Sequence, residues 1–404
     1  MIIERLTTIN QLHSLEPEWR LLESHMLPMP FTTYDWAVAW WRCLRCDRTL
    51  VRDHLHFLSF RNDHGELLGI APLIVTHRPA IGPLRIRQLQ YIGADTNITE
   101  LRCVAVATKH TNAVHDALID YLATSAPAYD WLQFTGVARA DQILRITQRF
   151  GSPAWQRQVP DFLVSLKPTW DEFRQALPRN IKESLRKCYN APHRDGIDLQ
   201  FTVVEAGTDV KHAVDEMLRL HTARAQLSHT VTHPNVFSSA AARDFLHEIC
   251  SRFSVSNRLR IFQIKHNEKI VATRIGFVCN DHLYLYYSGF DPQYAKYSVM
   301  TRVVAEAIKY AIENQFAAVN LSIGRDVSKE RWRPEEINYH DIEVIAPSKL
   351  SAAKYRLASV TGTKLKHSWV GKWLRRGVLG IGGFCLKLLT DTDSCTSLLL
   401  SINC

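Results

Sequence analysis

Leu283–Met300 reads LYLYYSGFDPQYAKYSVM, and Val319–Pro334, one helix later, reads VNLSIGRDVSKERWRP. The first string is a tyrosine-rich strand running into a polar loop. Between the two strings, Val299, Val303, Ala307 and Ala311 recur at helical spacing. Strand, loop, helix and strand in that order predict a βαβ-type unit. Such a unit sets the N–H groups of a helix start beside the strand ends, where an anion is held. The Arg, Lys, Asp, Glu and Trp cluster closing the second string marks that end as a binding and catalytic face.

The order of elements occurs twice. LHFLSFRNDHGELLGIAPLIV (Leu55–Val75) matches LRIFQIKHNEKIVATRIGFV (Leu259–Val278) in pattern, each two strands around a polar turn. The next strand ends in YIGAD (Tyr91–Asp95) in one half and YSGFD (Tyr287–Asp291) in the other. A helical stretch follows, then WLQFTG (Trp131–Gly136) against VNLSIG (Val319–Gly324). Four matches in one order predict a tandem pair of related α/β domains.

The 404 residues suffice for two cores of ordinary size, and 46% apolar with 22% charged residues is an ordinary soluble composition. The acidic residues in MIIERLTTINQLHSLEPEWR argue against a secretory signal, and no run reaches membrane-spanning length. Nine cysteines without a paired pattern read as free thiols of a reducing cytoplasm; Cys43 and Cys46 form a C-x-x-C that no second pair answers. The net charge of +9 is concentrated at the end. From Lys349 onward nine basic residues face two acidic ones, so the tail holds +7. With Trp369, Trp373 and the apolar run 377–389, this tail reads either as a peripheral contact with an anionic membrane or as an extension packing one short helix on the body. The body has no basic stripe with interleaved aromatics, so nucleic acid is not an expected partner.

Helices are expected at 11–25 and 34–46, the latter started by Thr33 or Asp35, and at 111–123. Strands are expected at 55–61, 67–75, 85–92, 131–135 and 162–166. In the second half Pro178 opens a helix whose polar side carries Arg179, Lys182, Arg186 and Lys187. Helices at 210–224 and 237–253 follow, then strands at 259–265, 270–278, 282–288, 319–321 and 342–345.

The strings LYLYYSGFDPQYAKYSVM and NLSIGRDVSKERWRP resemble those of the CelD/BcsL-type acetyltransferases of bacterial exopolysaccharide and cellulose biosynthesis, members of the GNAT superfamily related to the Fem-type aminoacyl transferases. The resemblance covers most of residues 1–346 and is strongest over 167–346. It implies an α/β (α+β) fold of tandem GNAT-like domains, each a mixed, mostly antiparallel sheet flanked by helices. The N-terminal domain (1–166) would be a degenerate copy, since it lacks the Ser-Lys-x-Arg-Trp cluster. The catalytic domain would be 167–346, and the basic amphipathic tail 347–404. The implied activity is transfer of an acyl group from acetyl-CoA or another acyl-CoA to an amine or hydroxyl of a saccharide precursor, in the cytoplasm or at the inner membrane face.

That reaction makes demands on particular residues. The donor's phosphates need the N–H groups at the helix start, Ser298, Val299 and Met300, with Lys296, Tyr297 and Arg302 beside them. The loop carries no glycine where GNAT enzymes usually have one, which disfavours close backbone approach. Lys329, Asp291 and Tyr286 are the catalytic candidates. Lys329 is either catalytic or part of a solvated charge run, Asp291 a base or a turn opener, and Tyr286 a cleft or a core residue. Arithmetic alternation puts Tyr286 and Ser288 on one strand face and Tyr287 on the other. Arg325, Arg331 and Arg333 make a basic rim, and Trp332 stacks on a sugar or caps the core. His221 and Arg224, one helical turn apart, contact substrate or form a structural pair. With His229 and His233 they lack carboxylate or cysteine partners at ligand spacing, so no metal is expected. No Cys or Ser stands in the setting of a covalent nucleophile, which points to direct attack in a ternary complex. Two rivals remain: aminoacyl transfer from charged tRNA, and a non-catalytic partner in a polysaccharide synthesis complex.

Overall fold

The computed structural model describes residues 1–79, 82, 85–95, 97–227 and 233–367, with side chains to Ser359. The chain opens with β1 (Ile2–Leu6), α1 (Ile9–Ser14), α2 (Glu16–Glu23) and α3 (Tyr34–Cys43). It continues through β2 (Arg52–Leu55), β3 (Phe57–Arg61), β4 (Leu67–Ala71), β5 (Leu73–Arg78), β6 (Ile86–Tyr91) and β7 (Ala105–Val106). Then come α4 (Thr111–Thr124), β8 (Trp131–Val137), α5 (Ala140–Phe150), β9 (Trp155–Ser165), α6 (Trp170–Ala176) and α7 (Arg179–Arg194). After β10 (Gln200–Val204), α8 (Asp209–Ala225) and α9 (Ala240–Val255) lie β11 (Leu259–His266), β12 (Lys269–Cys279) and β13 (His282–Phe290). The last elements are α10 (Val299–Glu313), β14 (Ala318–Ile323), α11 (Val327–Glu330), β15 (Glu335–Ile345) and α12 (Lys349–His367).

Two compact units result, one formed by Met1–Leu27, Trp40–Val159 and the chain from Tyr339 onward, the other by Pro28–Ala39 and Pro160–Asn338. A split at 166/167 and 346/347 therefore differs from the observed division. Pro28–Ala39 belongs with the second unit because Phe31 and Trp36 bury their rings against its Tyr284, Tyr286 and Phe277. The fold class is α/β, with mixed, mostly antiparallel sheets flanked by helices.

In the first unit the run expected at 55–61 breaks at His56, and that at 67–75 breaks at Pro72, which has no N–H for a ladder. The breaks send β3 and β4 into an antiparallel sheet ordered β1–β3–β4–β7, while β2 and β5 join the order β15–β8–β6–β5–β2. In the latter, β6 and β8 are parallel, paired only at Gln88↔Trp131 and Leu89↔Leu132. Helix α4 packs Val114 and Leu118 into a core with Phe60, Leu73 and Phe134. The segment around Arg102 and Cys103 lies directly on β8: a Cβ on Gly136 would come within 2.5 Å of both.

Helix α12 packs on this same unit. Lys354 donates to Asp130 and to the Arg85 carbonyl, and Tyr355 donates to Glu343. The start of the basic tail is thus part of a folded unit, and one of its cations is neutralised at 3.0 Å by a buried carboxylate. Trp369, Trp373 and the run 377–389 lie outside the described residues, among which no helix is long and apolar enough to cross a membrane.

The second unit has the strand order β10–β11–β12–β13–β14–β9, with β13–β14 the parallel pair. Ile181 and Leu185 of α7 and Val303, Ala307 and Ile308 of α10 pack against Phe262, Leu283, Leu285 and Val319. Tyr284 and Tyr286 alternate to the other face and meet Phe31 and Trp36.

His56, buried at the break between β2 and β3, has its Nε2 3.2 Å from the Tyr121 hydroxyl. Burial, aided by the charge of Arg5, pushes its pKa down from 6.5 to about 4. The unfolded chain therefore takes up a proton that the folded chain refuses in that window. Stability contributed by the neutral ring should fall as pH drops from about 6.5 to about 4. Urea titrations over this range are expected to show a smaller loss of midpoint for His56→Gln than for the parent; parallel losses would refute the assignment.

Candidate functional site

Pairing between β13 and β14 is confined to His282↔Ala318, Leu283↔Val319 and Tyr284↔Asn320. Past that point β13 runs on to Phe290 with no strand on that edge. β14 is drawn away by its own side chains. The Asn320 side-chain Oδ1 accepts the Ser322 N–H at 2.7 Å, while its Nδ2 donates to buried Asp161 at 2.7 Å. Ser322 takes φ 71° and Gly324 φ 90°, so the chain cannot continue as a regular strand.

β13 carries a bulge. Arg274 faces Ser288 and Gly276 faces Leu285, so Tyr286 and Tyr287 together oppose one residue of β12. Their rings lie 4.6 Å apart, Tyr286 reaching Trp36 and Tyr287 reaching His221 and Phe237. The alternation expected from the sequence is therefore shifted by one after Tyr286. Gly289 has no side chain because the α8 backbone at Leu220 and His221 occupies that space.

The start of α10 sits beyond the end of β13. Asp291 caps the 3-10 turn Pro292–Tyr297 through the Gln293 N–H, and Ser298 then adopts φ 53°, ψ 41°. The Ser298 N–H is spent on the Ala295 carbonyl, and its own carbonyl accepts from Thr301 and Arg302. Of the three N–H groups expected here, those of Val299 and Met300 keep no hydrogen-bond partner among the described residues. Arg331 lies over this turn, donating to the Thr301 hydroxyl at 2.6 Å. Its Nε is buried without a partner, and no carboxylate comes within ion-pair distance among the described residues. Burial holds its pKa below the ordinary arginine value, with Cys188 and Asp326 opposing. A half-buried guanidinium beside two open N–H groups is a site for an anion.

A second cluster forms at the end of α8. Arg224 donates to the Ser288 hydroxyl at 3.1 Å and to His233 Nε2 at 2.8 Å, and lies 6.0 Å from the Phe290 ring. Burial again lowers its pKa, with Asp326 the opposing charge. His233 is held below 6.5 by burial and then by Arg224, so it is neutral at pH 7. Buried His221 donates from Nδ1 to the Ser288 carbonyl. Asp326 caps α11, accepting the Ser328 N–H at 2.7 Å. Burial raises its pKa, but the Ser328 bonds and the charge of Lys329 outweigh that and keep it ionised.

The structure gives the other expected residues mostly anchoring duties. Lys329 directs its ammonium at the Ser322, Ile323 and Gly324 carbonyls and the Ser322 hydroxyl, closing the end of β14. Asp291 pairs with Lys269 at 2.7 Å; burial raises its pKa, but the Lys269 bond and the Gln293 N–H leave it below the ordinary value, in the ionised form. Tyr286 is enclosed by aromatic rings. Lys296 and Tyr297 both reach Asp195, and Arg302 donates to the Leu199 carbonyl. Arg325 pairs with Glu336, Trp332 is buried in the core, and exposed Arg333 takes φ 54°. His221 and Arg224 do come together with Ser288 of β13. Asp326 and the pairing role of His233 escaped the sequence reading. The Asp-x-Ser spacing at 326–328, a helix-cap signature, was the available signal for Asp326.

Residues 179–332 match the acetyltransferase (GNAT) domain family. No curated relative matches the sequence of the chain. Among solved structures FemX is similar, with a TM-score of 0.54 and 9% identity over 88% of this chain and 99% of its own. A conserved protein of unknown function from Bacteroides thetaiotaomicron gives 0.48 at 12% identity, over 85% of this chain and 100% of its own. A tandem GNAT protein from the clavulanic acid biosynthesis pathway gives 0.42 at 10% identity, over 86% and 100%. At 9% identity the FemX likeness speaks for the fold alone. The chain carries a GNAT acetyltransferase domain, and its class of chemistry is acyl transfer.

Ser298 holds the left-handed conformation that suits glycine, at a cost of about 1 kcal/mol for a residue with a Cβ. Ser298→Gly should raise the melting temperature by about 2–4 °C and Ser298→Val should lower it. A scanning melt in which Ser298→Gly is the less stable of the two would contradict this conformation.

Proposed function

We propose that this chain transfers an acyl group from an acyl-CoA to an amine or hydroxyl of a sugar or polysaccharide precursor, by direct attack in a ternary complex. The observation that carries the reading is the opening between β13 and β14, with the unpartnered Val299 and Met300 N–H groups under Arg331 at its end. GNAT domains use acyl-CoA, and the residues present fit its diphosphate: two helix-start donors, the helix dipole and a guanidinium lacking a carboxylate. The thioester would lie along the edge of β13 between Leu285 and Phe290, beyond its last pair with β14.

The acceptor would meet Arg224, Ser288, His233 and Asp326. Arg224 turns from His233 to an anionic group of the acceptor and thereby frees the Nε2 lone pair. As the acceptor nitrogen or oxygen bonds to the acyl carbon, its proton passes to His233. The carbon–sulfur bond breaks, and the thiolate takes the proton back. Lys329, Asp291 and Tyr286 position this arrangement rather than transfer protons: the first holds the end of β14, the second the loop before α10, and the third the floor of the bulge. The saccharide acceptor and the kinship to CelD/BcsL-type enzymes rest on the GFDPQYAKYS and SKERWRP strings. The first unit is read as a degenerate copy, because the segment at Arg102–Cys103 lies where Gly136 of β8 would otherwise be open. A cytoplasmic protein meeting the inner membrane through its basic tail fits this acceptor class. A second reading, aminoacyl transfer from charged tRNA, rests on the resemblance of the same strings to those of Fem-type relatives.

Calorimetry with acetyl-CoA should give saturable binding that Ser298→Trp abolishes and Arg331→Met weakens tenfold or more. Absence of binding to the parent chain would reject acyl-CoA as donor and favour the tRNA reading. The acidic limb of kcat/KM, followed by thiol release with amino sugars, should fall below pH 6.5, where His233 gains its proton. Arg224→Met removes a repelling charge and should move that limb to higher pH. An unmoved limb excludes His233 as the proton acceptor.

A further inference from the structure

A cavity of about 500 Å³ lies among α6, α7 and α10, in the range of small-molecule sites. Arg174, Lys182, Arg186 and Lys309 line it together with Trp170 and Tyr189, and no acidic side chain is among the lining residues. It is separate from the start of α10, since Lys309 lies ten residues beyond Val299, about 15 Å along the helix axis.

The four cations differ in how far they are committed. Lys309 is fixed: its ammonium stands 5.2 Å from the Trp170 ring centroid and 4.6 Å from that of Tyr189, and donates to the Tyr189 hydroxyl at 2.8 Å. Glu306 is its counter-charge at 3.5 Å, so it offers only part of its charge to the cavity. Lys182 donates to the Gln175 carbonyl, a neutral partner, and Arg174 makes an exposed pair with Asp171. Arg186 is exposed, with no hydrogen bond or ion pair among the described residues. The helix face that carries Arg186 also carries Lys182, one turn earlier, so the two uncommitted charges act at one place. Two cations without acidic partners, at the mouth of a cavity with a fixed ammonium, make a concentrated positive field in a concave, partly apolar setting.

We propose that this cavity binds a ligand bearing a di- or triphosphate group, held by Lys182 and Arg186 and steadied by Lys309. Lys182 and Arg186 stand one helical turn apart with Lys309 on the neighbouring helix, a spread of donors that linked phosphates span more fully than one. The aromatic pair is already engaged with Lys309, so recognition rests on the phosphates rather than on a stacked base. A free nucleotide and an inorganic polyphosphate share this chemistry.

The test is calorimetry of the full chain with pyrophosphate and, separately, ADP. Binding of either probe is expected in Ser298→Trp, where the start of α10 is blocked, and is expected to weaken at least tenfold when Lys182→Gln/Arg186→Gln is added to that variant. Equal affinities would identify phosphate as the whole determinant, and tighter ADP binding would identify a nucleotide; both support the site. Loss of binding in Ser298→Trp would place the anion at α10, and undiminished binding on adding the two substitutions would place it elsewhere; either overturns the proposal. No binding of either probe would also overturn it. Arg186 is exposed, so Arg186→Gln alone should fold as the parent does, and an intact melting profile for it keeps the comparison valid. Because acetyl-CoA binding is read in the parent chain, failure here leaves the acyltransferase reading untouched.

Discussion

The second unit is organised by the refusal of two parallel strands to stay paired. Three residue pairs join β13 and β14, and then Asn320 uses its side chain as a second backbone, taking the Ser322 N–H for itself and bonding Asp161. A strand whose amide hydrogens are satisfied locally has no reason to keep its neighbour. Asp161 is buried, which raises its pKa, and hydrogen bonds from Asn320 and the Phe162 N–H fix it in a setting where an unmatched polar group is costly. Lys329 then seals the carbonyls that the departing strand exposes. The opening is thus a built feature, closed off on the side of β14 by that strand's own polar groups.

The same logic separates the charges that hold the fold from those left over. Arg325, Lys354, Lys269 and Arg157 all meet carboxylates within 3 Å. Arg224 and Arg331, although more buried than an arginine usually is, meet only hydroxyl and imidazole partners in the described residues. A guanidinium stripped of water and denied a counter-charge is a standing cost to stability. Such a cost is retained where a ligand supplies the missing charge, and both residues lie at the opening.

Much of this was legible in sequence because it depends on order and period. The strand–loop–helix–strand order and its repetition in the first half survive any detail of packing, and so does the apolar stripe of α10. The site was less legible because its features arise from exceptions to period. One extra residue in β13 puts Tyr286 and Tyr287 on one side, and nothing in the string YLYYSG says where the bulge falls. The absence of glycine before α10 read as an obstacle, yet Ser298 simply takes the left-handed conformation. Lys329 looked like a catalytic group or a cation of a charged run, but from α11 its length suits it to reach back to three carbonyls at the end of β14. Arg331 looked like one of several rim charges, and only the fold separates it from Arg325, which is paired.

The first unit also has a parallel strand pair, with backbone packed directly against it. Its parallel strands β6 and β8 are joined by even fewer pairs, but the chain around Arg102 and Cys103 settles on Gly136 so tightly that no side chain fits there. Because backbone, not a rotatable side chain, occupies the space, exchanging individual residues cannot reopen it.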